Sequence, residues 1–76
     1  MNKQRRKTIN EIYEKIADLR NLLEEVKGEE EEYRDNMPEN LQNSERYYVA
    51  EEACDNLDSA ISSLEEALDY IESAAE

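Results

Sequence analysis

Apolar residues recur along this chain at alternating steps of three and four, in two long stretches. The first runs Ile9, Ile12, Ile16, Leu19, Leu23, Val26, Glu30, Tyr33 and Met37. That is the a/d seam of a coiled-coil helix. Tyr13 and Leu22 widen the stripe. The seam is weakest at Glu30, close to Gly28 and inside the run Glu29 to Glu32. A helical glycine costs ~1 kcal/mol relative to alanine, and the four carboxylates repel one another. The expected helix loosens there but continues, because Tyr33 and Met37 return to the seam.

The second stretch is as regular. Tyr47, Ala50, Cys54, Leu57, Ile61, Leu64, Leu68, Ile71 and Ala75 again alternate by three and four. Beside this seam Ala53, Ala60, Ala67 and Ala74 stand seven apart. Alanine is the best helix former. A small residue at the same flank of every heptad also lets a neighbouring helix come close.

Between the stretches lies Asp35-Asn36-Met37-Pro38-Glu39-Asn40-Leu41-Gln42-Asn43-Ser44. Proline has no amide hydrogen and disfavours helix at the residue before it, so the first helix should end near Asp35. Asn and Asp bond to local backbone and favour turns. Pro38 is placed to start a short helical turn with Leu41 tucked beneath it. Asn43 or Ser44 then caps the second helix, with Glu45 well placed in its first turn. The expected fold class is all-α. It is an antiparallel, coiled-coil-like two-helix hairpin forming one domain over residues 1–76, with helices at about 3–35 and 44–75 and the turn at about 36–43. Each arm of ~30 residues would be ~45 Å long. Tyr13, Leu22, Tyr48, Val49 and Tyr70 lie off the main seams, and two helices do not cover them. A hairpin with such a surplus pairs with another in a four-helix bundle or packs on a different protein; of the two, a homodimeric bundle is expected.

Charge changes the picture. The chain has 21 acids against nine bases, and four of the bases (Lys3, Arg5, Arg6, Lys7) fall in the first seven positions. From Asp35 to Glu76 there are twelve acids and one base, Arg46. A one-signed surface of this kind repels nucleic acid and attracts basic surfaces. The expected reading of the basic start is a solvated helix end that interacts with the acidic remainder.

Composition excludes several chemistries. There is no His, so His-based acid–base catalysis and His metal sites are absent. One cysteine, Cys54, makes neither an internal disulfide nor a cysteine-rich zinc site. On the seam it reads as a small core residue, and a reducing compartment is the natural setting for it. No Gly-rich loop cradles phosphate, and no calcium-loop spacing of oxygens occurs. Carboxylates on polar faces are solvated, so a perturbed catalytic pair is not expected. No enzyme activity, cofactor or metal is expected. The basic start is followed by no apolar run, which does not fit a signal peptide. No stretch approaches the ~20 apolar residues of a membrane span. The expected location is the cytoplasm.

The candidate partner surface on the second helix is Glu51, Glu52, Asp55, Asp58, Glu65, Glu66, Asp69 and Glu72. Glu11, Glu14, Asp18, Glu24 and Glu25 extend it on the first. From Thr8 onward there are 21 acids and five bases. On a rod of ~45–50 Å this is roughly half the charge density of duplex DNA. A second candidate is the hairpin tip, where Tyr33, Arg34, Met37, Leu41, Arg46, Tyr47 and Tyr48 gather. Tyr and Arg are favoured at binding hot spots and Met adapts to varied surfaces. The same residues also serve to close the open end of a small core.

Asp35-Asn36-Met37-Pro38-Glu39-Asn40-Leu41-Gln42, then Ser44-Glu45-Arg46-Tyr47 and the repeats Ala50 to Leu57 and Ser63 to Leu68, resemble small acidic helical proteins encoded by phages and prophages of Gram-positive bacteria. The turn is the distinctive part. No activity is settled for that group, so no functional residue carries over. The resemblance implies a non-enzymatic inhibitor that covers a basic, nucleic-acid-binding surface of a host defence or DNA-handling protein. Direct binding of nucleic acid or membrane is not expected. The rival expectation is a self-associating structural or adaptor module whose charge serves solubility.

Overall fold

The computed structural model describes residues 1–76 as two long helices joined by a short turn. Helix α1 spans Lys3–Asp35 and helix α2 spans Glu45–Ala74; a 3-10 turn, η1, occupies Glu39–Leu41. There are no strands. The helices pack antiparallel in a rod with extents of 60 × 14 × 12 Å.

Local chemistry accounts for each boundary. The Asn2 side chain accepts a 2.7 Å hydrogen bond from the Arg5 amide and starts α1. At the far end the Asn36 amide donates to the Glu32 carbonyl and the Met37 amide to the Arg34 carbonyl, and the chain then turns extended at Pro38. Of the two capping candidates, Ser44 is the one used. Its hydroxyl donates to the Leu41 carbonyl at 2.6 Å and accepts from the Tyr47 amide at 3.3 Å. Gly28 does not break α1, and its own position is open: a Cβ built there meets no atom within 4 Å.

The core is thin. Five residues are buried: Met37, Ala50, Cys54, Ile61 and Leu68. On α2 the expected seam faces α1, with Tyr47, Leu57, Leu64, Ile71 and Ala75 half-buried between those fixed points. At the tip, Met37 rather than Leu41 fills the space beneath the turn; Met37 is 7% exposed and Leu41 36%.

On α1 the seam differs from the expectation. Ile9, Ile16, Leu23, Glu30 and Met37 do point inward, but the second row facing α2 is Tyr13, Arg20, Lys27 and Arg34. Ile12, Leu19, Val26 and Tyr33 are 45%, 58%, 48% and 49% exposed. The two rows flank the same central column, one residue apart, and a seven-residue repeat alone does not choose between them. Charge across the interface favours the basic row. Arg20 meets Glu65 at 3.0 Å and Lys27 meets Asp58 at 2.9 Å. Long basic side chains lay their methylene stems over apolar surface while their heads stay wet. An isoleucine or leucine in the same place offers nothing to the acidic row opposite.

Candidate functional site

Those two ion pairs fix the register of the hairpin. Seven residues forward on α1, from Arg20 to Lys27, correspond to seven back on α2, from Glu65 to Asp58. Continuing the ladder puts Tyr13 beside Glu72, and both line one shallow recess at the open end of the rod. The same register carries the start of α1 past the end of α2. Lys3, Arg5, Arg6 and Lys7 are exposed, and none of them makes an ion pair. The expected interaction of this basic segment with the acidic remainder is therefore absent; Arg6 instead donates to the Met1 carbonyl at 3.3 Å.

Helical spacing sorts the acids of α2 onto one side. Glu51, Asp58, Glu65 and Glu72 stand seven apart in one row, Glu45, Glu52 and Glu66 in the next, and Asp55 and Asp69 in a third. All are exposed. Within a row the carboxylates repeat at ~10.5 Å, and neighbouring rows interleave them. On α1, Glu11, Asp18, Glu25 and Glu32 form a row on the outer face, with Glu24 and Glu31 on the flank towards Arg20 and Lys27. The acidic surface thus wraps the ionic edge and both outward faces.

Not every carboxylate in it is free. Asp58 and Glu65 are held by Lys27 and Arg20, and Arg20 also reaches Glu24 at 3.2 Å. The hydrogen bond it donates to Glu65 holds the Arg20 guanidinium above its ordinary pKa, against a smaller opposing effect of burial. Asp58 does the same for the Lys27 ammonium. Glu51, Glu52, Asp55, Glu66, Asp69 and Glu72 make no ion pair and remain available to an outside cation. Over the whole rod the net charge is -12 along 60 Å. Duplex DNA of that length carries about 35 charges, so the single hairpin reaches about one third of its density.

The tip residues do not form one patch. Tyr33, Met37, Leu41 and Arg46 surround an open recess together with Pro38 and Glu32. Tyr48 lies outside it and packs edge-to-face on the half-buried Tyr47, with ring centroids 6.0 Å apart. The Tyr48 hydroxyl donates a long 3.5 Å contact to Asn43. Arg34 is turned to its neighbour Asp35 at 3.0 Å, whose hydrogen bond raises the guanidinium pKa. Cys54 is 4% exposed, and burial pushes its thiol pKa up, with Arg34 pulling the other way. That is the state of an inert core thiol.

Sequence reasoning missed the interhelix role of Arg20 and Lys27. The signal was available: Tyr13, Arg20, Lys27 and Arg34 stand seven apart, and so do Glu51, Asp58, Glu65 and Glu72. Two such rows of opposite sign meet along one edge of an antiparallel pair. No group of His, Cys, Asp or Glu is disposed to hold a metal ion. No helix is long and apolar enough to cross a membrane. No protein-family model, curated protein or solved structure matches this chain.

Proposed function

We propose that this chain is a non-enzymatic binding protein of phage type, acting in the cytoplasm of a bacterial host. Its acidic side covers a basic, nucleic-acid-binding surface of a host defence or DNA-handling protein and so inhibits it. The observation that carries this reading is the sorting of charge: every acid of α2 falls on three adjacent rows, exposed, with seven of the nine free of any internal cation. Carboxylates at such spacing stand in for phosphates against Lys and Arg, and charge-assisted hydrogen bonds make those contacts strong. A row of fixed charges on a helix is also pre-organised, which lowers the ordering cost of binding.

The test uses the free carboxylates. The protein is immobilised and exposed to lysate of a Gram-positive host at low and at high salt, and retained proteins are challenged with duplex DNA. Retention should fall steeply with salt, because exposed pairs are screened within ~8 Å at physiological ionic strength. DNA should displace what is retained. The variant carrying Glu52→Lys, Asp55→Lys, Glu66→Lys and Asp69→Lys should retain nothing while staying helical. This set spares Glu65 and Asp58, whose reversal would break the hairpin's own ion pairs. Partners that survive both high salt and the reversals would refute the reading.

A second reading is a self-associating structural or adaptor module. The exposed apolar row Ile12, Leu19, Val26 and Tyr33 favours it, and the acidic side would then serve solubility.

A further inference from the structure

The side of the hairpin opposite the ionic edge is of a different kind. It is built from Ile12, Leu19, Val26 and Tyr33 on α1 and from the alanine row of α2. The placement of Tyr33 beside Arg46 and Val49 in one groove shows that these two rows share a side. The adjoining outer row of α2 is Val49, Asn56, Ser63 and Tyr70, which carries no charge. The corresponding outer row of α1 holds Lys15, Leu22 and Glu29. In a chain with 21 acids, these four rows hold one acid, Glu29, and three bases, Arg5, Lys15 and Arg46, with Glu30 and Glu45 at the margin of the groove beside Tyr33.

We propose that a second copy of this chain docks here, giving a two-fold four-helix bundle with both acidic sides outward. Three observations select that occupant. First, area: a compact 8.9 kDa monomer exposes about 4,800 Å² by size scaling. This chain exposes 5877 Å². The excess of roughly 1,000 Å² is what one partner contributes to a standard stable interface. Second, charge: two chains of net charge -12 repel least through the side poorest in acids, and this is that side.

Third, shape: the side is self-complementary. A ridge of large residues on α1 runs beside a trough of alanines on α2. The ladder set by Arg20–Glu65 and Lys27–Asp58 brings Leu19 level with Ala67 and Val26 level with Ala60. A two-fold axis parallel to the helices keeps those heights and lays α1 of each copy over α2 of the other. Each large residue then meets an alanine of its partner, and neighbouring helices run antiparallel as in an up-down bundle.

This inference does not rest on the acidic side binding anything, and salt separates the two. Salt weakens a carboxylate-to-base contact, whereas it screens the repulsion between two acidic chains and strengthens their apolar association. Sedimentation equilibrium of the full chain over micromolar concentrations is the experiment. The expected mass is twice 8.9 kDa, held or raised in affinity by added salt. Leu19→Glu should return the monomer mass with helicity unchanged, since Leu19 is 58% exposed in the single hairpin. Leu19→Ala is the milder variant in case the charge disturbs the helix. Together with Ala60→Leu, which overfills the trough, it should weaken association about tenfold or more. Asp55→Lys, on the acidic side, should leave the dimer intact. A wild-type mass of 8.9 kDa at every concentration would overturn the proposal. So would a dimer indifferent to Leu19→Ala and Ala60→Leu. A monomer that captures a different protein, and loses it on Leu19→Glu, would assign the side to that partner instead and equally overturn it.

Discussion

Arg20 of α1 donates a 3.0 Å hydrogen bond to Glu65 of α2, 45 positions away in sequence. Lys27 repeats the contact to Asp58 at 2.9 Å, one heptad along. The pairs mark the register of the helices and lie along the flank of α1 that faces inward. They also sort the molecule into an acidic side and an apolar one.

The first expected outcome concerns this edge. A double-mutant cycle on Arg20→Ala and Glu65→Ala, read by urea unfolding, should return a favourable coupling. The coupling should shrink in 1 M salt, where screening reaches ~3 Å. The wet heads make it small. A coupling that does not respond to salt would mean the pair acts through packing of the arginine stem.

Gly28→Ala should stabilise the hairpin by about 0.4–1 kcal/mol. The glycine is inside a helix, has no positive φ and leaves open space where a Cβ would go. The gain comes mainly from the entropy the unfolded chain loses. A lower urea midpoint for the variant would contradict this.

Ile61 is 3% exposed and lies midway along α2. Ile61→Val should cost about 0.5–1.5 kcal/mol and Ile61→Ala about 2–5 kcal/mol. With five buried residues in the chain, the alanine variant should be largely unfolded by far-ultraviolet circular dichroism at room temperature. Full helicity for it would show that helix propensity, rather than the seam, sustains the fold.

Cys54 supplies a pH dependence whose sign is fixed. Burial raises its thiol pKa in the folded state, so the folded chain binds the proton more tightly than the unfolded one. The resulting stability is fully present below the ordinary thiol value of about 8.5. It is lost as pH rises from there through the raised folded value. The comparison with Cys54→Ala isolates the thiol from every other group that titrates in the same range. Wild type should lose more stability than the variant across that window. Equal losses would place the thiol in water.

The candidate binding surface divides along the same lines. The positions of Glu51 to Glu72 on exposed rows follow from helical spacing. The capture of Asp58 and Glu65 by α1 does not, because it depends on where the second helix lies. Likewise Tyr33 and Tyr48 are neighbours of one tip in sequence, but only Tyr33 joins the recess with Met37, Leu41 and Arg46.

By itself the sequence determined two long helices, the turn at Pro38 and the inward face of α2. These rest on local rules: an apolar residue every three or four positions, a proline that ends a helix, and an Asn or Ser placed to cap the next. The inward face of α1 was decided only by tertiary structure. Ile12, Leu19, Val26 and Tyr33 satisfy the heptad, and so do Tyr13, Arg20, Lys27 and Arg34. A hydrophobic count favours the first row. The acidic row on α2 reverses the choice, because a basic side chain covers apolar surface with its stem and meets a carboxylate with its head. That balance exists only once the two helices are side by side.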